Sequence, residues 1–91
     1  MEIQLSQKYN FDGVETDKLE LNFDKLTGRT LVQLEKEFKK ENKGEFMLIA
    51  NNAFSAKVAA YCADIREDDI LDMSAKDFTS ITGEVTIFLN S

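Results

Sequence analysis

The chain has 91 residues, enough for one small domain that buries somewhat more than about 60% of the surface its unfolded chain exposes. A hydrophobic content of 43% with seven Phe excludes wholesale disorder, and a formal net charge of -6 argues against nucleic acid or an anionic membrane surface as the main partner. The single cysteine, Cys62, excludes an internal disulfide, and its place in VAAYCADI, on an apolar stripe, predicts a small buried hydrophobe rather than a nucleophile.

The first residues, MEIQLSQKYNF, have neither a basic n-region nor an apolar h-region, and no apolar run approaches the roughly 20 residues of a membrane span. The expectation is a protein neither secreted by the usual route nor membrane-spanning. Ile3 and Leu5 alternate with polar neighbours, Asp12-Gly13 offers a turn, and Leu19, Leu21 and Phe23 alternate again. This pattern predicts a β-hairpin over about 2–22, whose apolar face needs helices to cover it.

The first helix is expected over about 28–43, in LTGRTLVQLEKEFKKENKG. Thr27 or Thr30 can cap it, Leu31, Leu34 and Phe38 form its inward stripe, and Gly44 can end it. Glu35 precedes Lys39 by four residues, the favourable order for an ion pair. From Lys25 to Lys43 six basic residues face three acidic ones, which reads either as a solvated helix face or as a docking face for an acidic partner or neighbouring subunit. EFMLIA, before Asn51, fits a short strand, a loop or a helical start.

A second helix is expected over about 52–66, capped by Asn51 or Asn52, with Phe54, Val58, Tyr61, Cys62 and Ile65 at helical spacing and Ala59, Ala60 and Ala63 permitting close packing. In REDDILDMSAKDF, Ile70, Leu71 and Met73 are expected to tuck the connection onto the core, and Ser74 with Asp77 forms an S-x-x-D variant of the capping box. The last helix, over about 75–89, carries Phe78, Ile81, Val85 and Phe88 at i, i+3, i+7 and i+10. Its interior Gly83 costs about 1 kcal/mol relative to alanine, a cost that asks for a reason such as close backbone approach. The expected class is therefore α+β, an N-terminal β-hairpin followed by about three amphipathic α-helices packed as one small domain.

Catalytic chemistry finds little material. The chain contains no histidine, the commonest general base and neutral metal ligand. Asp64, Glu67, Asp68, Asp69 and Asp72 supply oxygens but lack the alternating order, turn glycine and terminal Glu of a calcium loop, so no metal or cofactor is expected. Gly28 alone is too little for a phosphate loop, no Ser or Cys sits in a nucleophile elbow, and the aromatic residues are not interleaved with Arg and Lys. A binding or assembly role is the expectation, with no catalytic residue.

The succession IQLSQKYNFDGVETDKLELNFDKLTGRTLVQLEKEF, VAAYCADI and ILDMSAKDFTSITGEVTIFLN resembles the small tail assembly chaperones of long-tailed bacteriophages and prophages. The hairpin running into FDKLTGRTLVQLEKEF, and L-x-x-x-x-K-D-F from Leu71 to Phe78 ahead of the apolar helix, carry the likeness through their order and spacing. The resemblance implies a non-catalytic protein of the host bacterial cytoplasm, generally absent from the finished virion. Such proteins bind the aggregation-prone tape measure protein, keep it soluble and help present it to the polymerising tail tube protein. It further implies self-association in some members and, in many, a longer frameshifted form, whose extension here would begin near Asn90 and Ser91. For such a client the last helix offers Phe78, Ile81, Gly83, Val85, Ile87, Phe88 and Leu89 as contacts. Against this stands the ordinary reading that the main stripe covers the hairpin, which leaves Ile87 and Leu89, off that stripe, as the better candidates. A competing class is a small acidic regulator or DNA mimic encoded by a mobile element.

Overall fold

A computed structural model describes residues 1–41 and 51–90. Two antiparallel strands, β1 (Glu2–Phe11) and β2 (Val14–Glu20), form a hairpin, and the helices α1 (Gly28–Glu41), α2 (Asn52–Ala63), α3 (Glu67–Leu71) and α4 (Ala75–Leu89) follow. The α+β class thus holds, with four α-helices among the described residues and a single 3-10 turn, Phe23–Lys25, after the hairpin.

The hairpin turns where Asp12 and Gly13 both take positive φ, 53° and 88°, the two left-handed residues that a two-residue loop matched to strand twist requires. Pairing is regular at both ends, but between Gln4↔Lys18 and Tyr9↔Thr16 the register shifts, so that Leu5 to Lys8 stand against Asp17 alone. Such a bulge bends the strand and re-aims its side chains. Here the Gln4 amide donates to the Asp17 carbonyl at 3.0 Å, and Ser6 turns toward the far end of the chain.

One face of the hairpin buries Ile3, Leu5, Leu19 and Leu21 in a core shared with Leu34, Phe38, Phe54, Val58, Cys62, Ile70, Met73, Ile81 and Val85. Cys62 is a buried free thiol in the middle of it, and burial pushes its pKa up to about 11. Phe38 of α1 meets Phe54 of α2 edge to face at 5.5 Å, a geometry that aromatic quadrupoles favour.

The helix ends follow local chemistry. Thr27 Oγ1 accepts from the Thr30 N–H at 3.1 Å at the start of α1, and Asn51 Oδ1 accepts from the Phe54 N–H at 3.0 Å at the start of α2. On the outside of α1, Lys39 meets Glu35 at 3.1 Å as its spacing predicts. The expected continuation of α1 to residue 43, its stop at Gly44, and EFMLIA lie outside the described residues.

The expectation of one helix over 52–66 requires correction: α2 ends at Ala63 because Asp64 adopts the left-handed conformation, φ 58°. The Ile65 N–H then reaches the Ala60 carbonyl at 3.1 Å and the Asp64 N–H the Tyr61 carbonyl, closing the helix in a Schellman motif. The segment at the 3-10 turn adds to this: the Asn22 N–H donates to the Cys62 carbonyl at 3.1 Å, and Lys25 Nζ gives the Tyr61 carbonyl a second donor at 2.9 Å, its ammonium lying over the Tyr61 ring. This early stop lets α3 form as a separate turn that buries Ile70 and Met73 follow it into the core. Leu71, expected inside with them, is instead 44% exposed, because a five-residue helix anchored by Ile70 turns its next position outward.

Lys57 joins three helices. Its ammonium lies 3.1 Å from Glu41 of α1 and 3.5 Å from Glu67 of α3. Burial works against its charge, but the hydrogen bond to Glu41 and the nearby carboxylates outweigh that and hold its pKa above the ordinary value. Among the described residues no helix is long and apolar enough to cross a membrane.

Candidate functional site

The last helix is held at its first turn by a carboxylate. Ser74 Oγ accepts from the Asp77 N–H at 3.3 Å, one half of the expected capping box. The other half is replaced: the Ser74 N–H donates to Tyr9 Oη at 3.2 Å, and the Asp77 carboxylate turns across to the bulge of β1. There it accepts from the Ser6 N–H at 2.9 Å, from Ser6 Oγ at 2.8 Å, from the Tyr9 hydroxyl and from Ser74 Oγ at 3.3 Å. Asp77 is only 3% exposed. Burial alone would raise its pKa, but the hydrogen bonds from Tyr9, Ser6 and Ser74 outweigh burial and hold it below the usual carboxylate value. The residue read from sequence as a local cap is thus the tie between the hairpin and α4. Chain spacing carries no sign of that role, since Ser6 lies 71 positions away.

Beyond this anchor, the residues expected to meet a partner separate into two groups. Ile81 and Val85 are wholly buried, and Phe78 and Leu89 pack against the core as partly buried residues. Ile81 and Val85 therefore leave the set of partner contacts, because the stripe they share covers α2 and the hairpin. Leu89, expected to lie off that stripe and outside, is likewise held inward. Between α2 and α4 the contact is close and partly polar: Ser55 and Thr82 are buried, and Thr86 Oγ1 lies 3.4 Å from Ser55 Oγ while donating to the Thr82 carbonyl.

The outer group comprises Gly83, Ile87 and Phe88. Ile87 is 65% exposed, and Phe88 is 37% exposed with its ring stacked on Phe23 at 4.3 Å. A Cβ placed on Gly83 would meet nothing within 4 Å. Among the described residues, no neighbouring element therefore approaches closely enough to explain the glycine. Gly83 and Ile87 are one turn apart, so a small residue and an exposed aliphatic side chain lie together on the outer side of α4 near its C-terminal end.

The acidic run after α2 disperses rather than converging. Arg66 Nη2 meets Asp69 at 3.0 Å, Glu67 faces Lys57, and among the described residues no three His, Cys, Asp or Glu side chains are grouped to hold a metal ion. No protein-family model, no curated protein and no solved structure matches this chain.

Proposed function

We propose that this chain is a non-catalytic tail assembly chaperone of a long-tailed phage or prophage. It binds the tape measure protein in the host bacterial cytoplasm, keeps it soluble and helps its packaging into the growing tail tube. The observation that carries the reading is the outer side of α4, where a helix-interior glycine that no described residue approaches sits one turn from the exposed Ile87, on the helix that also carries the Phe23–Phe88 stack. Such a surface suits a long helical client, because a glycine lets a second backbone approach closely while an exposed aliphatic and an aromatic side chain supply apolar area. The order of hairpin and helices that carries the likeness to this family supports the same reading, and the net charge of -6 favours solubility of a loaded complex. A longer frameshifted form would bring the tail tube protein into the same assembly.

The test is co-expression with the tape measure protein of the same phage or prophage. The proposal expects that protein to stay soluble and co-purify with the chain. An insoluble tape measure protein and no complex, despite a folded partner, would overturn it and favour the acidic regulator or DNA mimic.

A further inference from the structure

The outward side of α1 differs in charge from the rest of the molecule. Leu34 and Phe38 turn inward with Leu31 beside them, so Arg29, Val32, Lys36 and Lys40, at i, i+3, i+7 and i+11, line the opposite side, and all four are exposed. They span about 16 Å of helix. Lys39 is occupied by Glu35, but among the described residues Arg29, Lys36 and Lys40 take part in none of the ion pairs. Val32 stands in this row with 51% of its surface exposed.

Around α3 the same arrangement recurs with the opposite sign. Leu71 is 44% exposed, three residues after Asp68 and one before Asp72. Glu67 and Asp69 are engaged by Lys57 and Arg66, whereas Asp64, Asp68 and Asp72 are exposed and outside every ion pair among the described residues. One patch is an aliphatic side chain framed by cations, and the other is an aliphatic side chain framed by carboxylates.

We propose that the outer face of α1 docks a second copy of this chain through that copy's α3 corner, Val32 meeting Leu71 and Arg29, Lys36 and Lys40 meeting Asp68, Asp72 and Asp64. The two patches lie on different elements, so a contact made through one patch of each copy is head-to-tail: the copy bound through its α1 face still offers its α3 corner, and the copy bound through its α3 corner still offers its α1 face. Copies can therefore add in series. Charge complementarity selects the partner face, and the paired aliphatic residues supply the desolvated centre that exposed ion pairs lack. The contact gives a surface to the self-association expected of an assembly protein, yet it is defined on this chain alone and its test needs no client.

The experiment is sedimentation of the full chain across concentration at about 0.1 M salt, where a screening length of about 10 Å damps the repulsion between net-negative copies and leaves contact pairs intact. Three proteins are compared: the wild type, Arg29→Glu/Lys36→Glu/Lys40→Glu, and Asp68→Lys/Asp72→Lys. The wild type should gain mass with concentration, each variant alone should associate at least about tenfold more weakly, and an equimolar mixture of the two variants should recover association. Thermal melts establish that each variant is folded. Should either charge variant fail to fold, Val32→Ser with Leu71→Ser keeps every charge and should weaken association likewise. A wild type that remains monomeric, variants that associate as it does, or a mixture no stronger than its components would overturn the proposal, and none of these results bears on tape measure binding.

Discussion

At the first turn of α4 a carboxylate disappears into the protein, and at its last turns an isoleucine remains outside: Asp77 is 3% exposed and Ile87 65%. Simple hydrophobicity would order them the other way. Asp77 is inside because β1 bulges to bring Ser6 and Tyr9 onto its oxygens, so its burial is matched by donors. Ile87 is outside although nothing about the helix requires an apolar residue there, and beside it Gly83 weakens the helix without making room for any neighbour among the described residues. One end of the helix is accounted for by the fold; the proposed function accounts for the other by a partner. Substitutions should divide accordingly, moving stability at the first and binding at the second.

The largest effect should come from Asp77→Ala. It leaves the Ser6 N–H and hydroxyl and the Tyr9 hydroxyl short of an acceptor at a buried junction, and should cost about 3 kcal/mol in urea unfolding. A cost below about 1 kcal/mol would mean that water replaces the carboxylate there and that the tie is weak.

Acid probes the same residue more gently. The folded-state pKa of Asp77 is lowered, so its contribution is fully present above the unfolded value of about 3.9 and is lost as pH falls through the lower folded value. Urea midpoints followed from neutral pH into this acid range should fall, and less steeply in Asp77→Asn. Asp69, held down chiefly by its hydrogen bond from Arg66, acts in the same direction in both proteins, so the difference between them reports Asp77. Equal slopes would contradict the assignment.

Gly83→Ala should raise stability by about 0.5–1 kcal/mol, since the backbone there is helical and the new methyl group meets open space. Loss of tape measure co-purification in this more stable variant would place the use of the glycine on the client. A fall in melting temperature would mean that an internal neighbour does approach it. The smallest effect on stability belongs to Ile87→Lys, within about 0.5 kcal/mol of wild type, because the side chain is mostly in water already.

How legible these two ends were depends on the distance over which each feature is determined. The hairpin turn at Asp12-Gly13, the caps at Thr27 and Asn51 and the inward stripes of Leu34 with Phe38 and Ile81 with Val85 rest on neighbours within a few positions, and the spacing of residue types reveals them. The partnership of Asp77 with Ser6 depends on a bulge that no local pattern announces. The end of α2 at Asp64 was missed because aspartate enters the left-handed region less often than glycine, and helical spacing continues through Ile65 as if the helix did too. Leu71 was misread for a related reason: once the helix breaks, the phase of the apolar pattern restarts at α3. At the candidate site, periodicity distinguished Ile87 from the core stripe but placed Leu89 outside with it, whereas the core retains Leu89.

The most direct test of the division is to measure melting temperature and tape measure co-purification together for Ile87→Lys and Asp77→Asn. The account predicts that Ile87→Lys melts like the wild type but no longer holds the client in solution, while Asp77→Asn melts lower and, below that temperature, still holds it. An Ile87→Lys protein that is folded and carries the client as the wild type does would contradict the assignment of the binding surface to the outer side of α4.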